Sequence, residues 1–123
     1  MKVTILMLLL AVVSSSAMAG DEATWIKVAD ADMFTTDYDA NPAHSFYDVD
    51  NNITKAWFRH NFTRGNLDGT SYASQYEFDC TSLNYRIADT TPSKWEPLFA
   101  DYIRKMLNRA CRDMIGRNKT TPE

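Results

Sequence analysis

The sequence predicts an α+β fold: an antiparallel β-sheet of about five to six strands, with one long C-terminal amphipathic helix packed on it and joined to it by a disulfide. Three observations carry this expectation. Apolar and polar residues alternate from Ile53 to Phe62 and from Gln75 to Cys80, the period of strands with one buried face. From Trp95 to Ile115 apolar residues recur in steps of three and four, the period of a helix with one buried stripe. The only two cysteines, Cys80 and Cys111, fall on the apolar faces of these two patterns. Strands followed by a terminal helix belong to the α+β class.

Taken in order, the first 19 residues are set apart. Met1-Lys2 supplies one positive charge, Val3 to Val13 is an uncharged apolar run of 11, and Ala17-Met18-Ala19 forms an A-x-A cleavage site. This is the order of a secretory signal peptide, and a run of 11 is far short of the roughly 20 residues that span a bilayer. Residues 1–19 are therefore expected to be a leader and residues 20–123 a single domain, too short for two independent cores. The expected product is exported to the periplasm or cell surface and has no transmembrane segment.

The strand candidates are Thr24 to Val28, Met33 to Tyr38, Phe46 to Val49, Ile53 to Phe62, Gln75 to Cys80 and Asn84 to Ala88. Within the longest, Ala56, Phe58, His60 and Phe62 share one side and Lys55, Trp57, Arg59 and Asn61 the other. Arg64 to Gly69 reads as a glycine-containing loop. The helix pattern begins at Ser93, with Glu96 completing a capping box and Gly116 placed as a C-terminal cap. In an oxidising compartment an even pair of cysteines is by default a disulfide. Cys80 to Cys111 spans 31 positions, which matches no zinc or CxxC spacing.

The stretch Tyr72-Ala-Ser-Gln-Tyr-Glu-Phe-Asp-Cys80, then Tyr85-Arg86-Ile87, then Trp95-Glu96-Pro97 and a closing helix with Cys111, resembles the surface-adhesin protein E family of secreted bacterial proteins. Trp25, Tyr38-Asp39 and Trp57 fit the same pattern, so the resemblance covers about Trp25 to Arg112. It implies a small antiparallel sheet with a helix, a Cys80–Cys111 bridge, and a periplasmic or surface location. For the family's type member it implies adhesion to host extracellular-matrix and serum proteins. The family pattern usually ends near its last cysteine, whereas here Met114 and Ile115 prolong the apolar stripe. The rival expectation is a periplasmic inhibitor or envelope accessory protein of the lysozyme-inhibitor kind, also small, exported and disulfide-linked.

Signatures of catalysis are missing from the sequence. There is no Gly-x-Ser-x-Gly elbow, P-loop, dinucleotide fingerprint or HExxH, and both cysteines are committed to a bridge. His60 alternates with Phe58 and Phe62 and reads as a half-buried structural histidine. Asp48-Val-Asp50 imitates the start of a calcium loop, but Ile53 stands in place of its glycine and Arg59 in place of its bidentate glutamate. The expectation is a binding protein, not an enzyme, without cofactor or metal.

Charge is polarised along the chain. Residues 20–50 carry eight acids against Lys27 alone, while residues 51–123 sum to +3. Two readings stand: the blocks complement each other within one fold or across a homodimer, or the basic helix face, with Arg104, Lys105, Arg109 and Arg112, binds an acidic partner such as a glycosaminoglycan or lipopolysaccharide. The total of -3 and pI near 5.3 give no overall field for nucleic acid. Trp57 between Lys55 and Arg59 reads either as a protein-contact anchor or as a residue buried on a two-sided sheet. The expected partner is a protein or an envelope or host-matrix macromolecule.

Overall fold

Period-two stretches become strands because each buries one row of side chains and leaves the other in water. The computed structural model describes residues 22–88 and 94–120; the leader expected over 1–19 and the cap expected at Ser93 lie outside them. The described residues form β1 (Trp25–Asp30), β2 (Phe34–Asp39), β3 (Phe46–Asp48), β4 (Ile53–Phe62), β5 (Ser71–Asp79), β6 (Asn84–Ile87), β7 (Glu96–Pro97) and helix α1 (Asp101–Thr120). All strand pairs are antiparallel, in the order β1-β2-β4-β5-β6-β7, with β3 also on β4. The fold is therefore α+β, as expected.

β4 organises the sheet. One of its edges pairs with β5 over nine positions from Ile53↔Asp79 to Asn61↔Ser71. Its other edge is shared: β2 takes Phe58 to Phe62 and β3 takes Ile53 to Lys55. Trp57 lies at the junction between the two. The ten residues of β4 also explain why β5 begins at Ser71 and not at the expected Gln75, since a hairpin partner extends as far as the ladder allows.

On one face of the sheet Thr54, Ala56 and Phe58 from β4 meet Thr36 and Tyr38 from β2 and Tyr76 and Phe78 from β5. Phe58 sits centrally, with ring centroids 5.3 Å from Tyr38 and 5.7 Å from Tyr76 and Phe78. Ile103, Met106, Leu107, Ala110, Cys111 and Met114 of α1 close over this layer. The Cys80–Cys111 disulfide ties the end of β5 to the helix.

Two details of the helix differ from expectation. It starts at Asp101, not Ser93, because Pro97 lacks an N–H and pushes Glu96 toward extended backbone. Glu96 and Pro97 accordingly pair with Tyr85 and Asn84 as an edge strand, a place where proline is tolerated. Phe99, which fits the helical spacing, is 80% exposed, whereas Leu98 packs on the core. At the other end α1 runs through Gly116 to Thr120, so Gly116 is not a cap. Tight turns carry the expected glycines at positive φ, Gly65 and Gly69, and two residues the sequence did not flag, Asn52 and Leu83.

His60 illustrates the buried face. Its ring packs edge-on to Phe34 and Tyr102, and its two nitrogens are within hydrogen-bond distance of Thr36 Oγ1 (2.9 Å) and Tyr76 Oη (3.0 Å). Burial disfavours the imidazolium and lowers its pKa below the usual 6.5. Above 6.5 the ring is neutral whether the chain is folded or not, so its contribution is complete. As pH falls, the unfolded chain takes up this proton first, and stability is lost through the folded-state value. Denaturant midpoints measured between about pH 8 and about pH 5 should fall more steeply for the wild type than for His60→Gln; parallel curves would remove His60 as the cause.

Candidate functional site

Among the described residues no helix covers the second face of the sheet. On β4 it presents Lys55, Trp57, Arg59 and Asn61, on β2 Asp37 and Asp39, on β5 Ala73, Gln75 and Glu77, and on β6 Arg86. Period two places these residues together by the same rule that places Phe58 and Tyr38 inside.

The charges here are matched. Asp37 Oδ2 accepts from Arg59 Nη2 (2.7 Å) and Nε (3.1 Å) and from Asn61 Nδ2 (2.7 Å). Glu77 stands between Arg86, 2.6 Å from one carboxylate oxygen, and Lys55, 3.5 Å from the other. Asp37 with Arg59 and Asp32 with Arg64 also join the acidic N-terminal block to the basic remainder, so part of the charge polarity is complemented within one chain.

Three tryptophans are present in the chain, and all three belong to this side. The Arg59 guanidinium lies 4.6 Å from the Trp25 ring centroid, and that of Arg86 lies 4.3 Å from Trp95. Trp57 and Trp25, with Ala23, Asp39, His44 and Ala73, line an open cleft of about 250 Å³. A neighbouring hollow of about 180 Å³ is lined by Phe46, Asp48, Ile53, Lys55, Glu77 and Arg86. Phe46 at its rim is 62% exposed.

Asp39 fixes the wall of the first cleft. Its carboxylate accepts from the backbone N–H groups of Thr24 (2.9 Å) and Asn41 (3.0 Å), and His44 Nδ1 donates to it at 2.6 Å. The aspartate thereby orients the His44 ring. Among the described residues the cleft lining offers no hydroxyl or thiol beside the ring. What the arrangement provides is a rigid aromatic and hydrogen-bonding surface.

The seven candidates from the sequence divide between two surfaces. Lys55, Trp57 and Arg59 share the uncovered face. Lys105, Arg109 and Arg112 lie across the molecule, on α1, where with Asn108, Lys27 and Val28 of β1 they line a cleft of about 260 Å³. Arg104 is exposed on α1 outside that lining. The sequence does not mark Trp25, His44, Arg86 or Trp95 as candidate binding residues, because their partners lie on other strands. Alternation in Phe34–Asp39, with Asp37 and Asp39 out of step with Thr36 and Tyr38, was the available sign of the acidic partners.

Asp48, once matched to a calcium loop, is turned inward on its own turn. It accepts from Asn51 Nδ2 (2.8 Å) and Asn51 N (3.3 Å), and the side-chain bond lowers its pKa. Among the described residues no three potential metal ligands converge, and no helix is long and apolar enough to cross a membrane. Comparison with family models, with curated proteins and with solved structures finds no significant match to this chain.

Proposed function

We propose that this chain is an exported binding protein resembling surface-adhesin protein E, and that it engages a host-matrix, serum or envelope macromolecule through the uncovered face of its sheet. The observation that carries this reading is the gathering of all three tryptophans, two of them stacked with arginines, on that face. Tryptophan and arginine are the residues most enriched where protein contacts concentrate their energy. Arg59 and Arg86 hold Trp25 and Trp95 in place before any ligand arrives, so little side-chain entropy is lost there on binding. The Cys80–Cys111 bridge agrees with an oxidising compartment.

Binding of the oxidised protein to immobilised matrix and serum proteins tests the proposal. Trp57→Ala should weaken an observed interaction by about 2 kcal/mol or more, roughly 30-fold, and Lys55→Glu, which leaves the core untouched, should weaken it too. Unchanged affinity in both variants would move the contact elsewhere. Protease accessibility on intact cells separates the adhesin from the periplasmic alternative: digestion supports surface exposure, and full protection supports an inhibitor or accessory role.

A further inference from the structure

On the helix side of the molecule, three cations of α1 line one cleft against edge strand β1. Lys105, Asn108, Arg109 and Arg112 of α1, with Val28 and Lys27 of β1, line this cleft of about 260 Å³, while the register of Lys27 opposite Asp37 turns its ammonium toward the other face of the sheet. On α1 these cations follow i, i+4, i+7 spacing and form one row about 10 Å long. Over its full length α1 contains six basic residues against Asp101 and Asp113.

The row is partly pre-positioned. Arg109 lies with its guanidinium 5.4 Å from the ring centroid of buried Tyr38, and its Nε is 3.4 Å from Asp113. Lys105 is 3.4 Å from Asp101. The lysine pair is exposed, and both acids stand outside the cleft lining. Exposed pairs of this kind contribute about 0 to 1 kcal/mol, so an incoming anion displaces them at little cost.

We infer that this cleft binds a linear polysaccharide bearing sulfate or phosphate esters. A cation row needs a ligand with anions repeated along its length, and arginine matches a tetrahedral oxyanion with a bidentate fork. A membrane surface fits less well. Ile103, Met106, Leu107, Ala110 and Met114 are all turned into the core, so the stripe that an interfacial helix inserts among lipids is already covered. This surface is separate from the uncovered sheet face, and it stands whether or not that face binds protein.

The test titrates the oxidised protein with a heparin-derived hexasaccharide, its desulfated counterpart, a phosphorylated oligosaccharide, and phosphatidylglycerol vesicles. Binding to the sulfated or the phosphorylated sugar identifies the ester, with backbone amide shifts centred on Val28 and Asn108. Three charge contacts with a linear polyanion should lower affinity roughly 40-fold between about 50 and about 200 mM salt. Lys105→Gln combined with Arg112→Gln should weaken binding at least tenfold, while Arg64→Gln, the same kind of charge loss outside the cleft, should change it less than twofold. Flat salt dependence, equal losses in both variants, or binding to vesicles or the desulfated sugar in preference to the esters would overturn the inference.

Discussion

Phe58→Ala should destabilise the protein by about 3 to 5 kcal/mol, the cost of emptying an aromatic site in a packed core. Phe58 has no exposed surface, and its ring is flanked by Tyr38, Tyr76 and Phe78. It lies on the strand that pairs with β2, β3 and β5, so the lining that must relax belongs to several strands at once. Natural domains of this size have only about 5 to 15 kcal/mol to lose. Urea titration of the oxidised protein measures the effect through the shift in midpoint at constant slope. A loss below about 1 kcal/mol would mean that the aromatic layer closes over the gap and that β4 is not its centre.

Removing the disulfide should have a comparable effect. Cys80 and Cys111 are 31 positions apart, and opening a loop of that size releases about 3 to 4 kcal/mol of chain entropy to the unfolded state. The double variant Cys80→Ser with Cys111→Ser avoids a lone thiol. Its melting temperature should fall below that of the oxidised wild type by on the order of 15 °C and coincide with that of the reduced wild type. Equal melting of the oxidised wild type and the variant would show that helix packing alone holds α1 in place.

Much of this architecture is legible in the residues because period and burial correspond so closely. Phe58 and Tyr76 can be assigned to an interior and Trp57 and Glu77 to the opposite face by counting alone, and the bounds expected for β4 are the ones observed. The start of α1 is not legible, because Trp95, Leu98 and Phe99 keep helical spacing in a segment that proline has already turned into an edge strand. Pattern counts one element at a time, whereas Glu96 is placed by its pairing with Tyr85. The same limit governs the candidate site. Trp57, Lys55 and Arg59 share a strand and could be grouped, but Trp25 reaches Arg59 only through the β1–β2–β4 register. The cleft beside the helix cations forms only through the packing of α1 against the sheet edge.

The shared edge of β4 has a meaning for divergence. Because β2 and β3 dock on it independently, the connection from Ala40 to Ser45 is not required to hold either register. It does supply His44 to the wall of the tryptophan cleft. Lengthening a surface loop is inexpensive, about 0.6 kcal/mol for each doubling. Insertions and deletions in this one connection can therefore reshape the mouth of the cleft while leaving the ladders on either side intact. The fold keeps its frame and its adjustable part in adjacent stretches of chain.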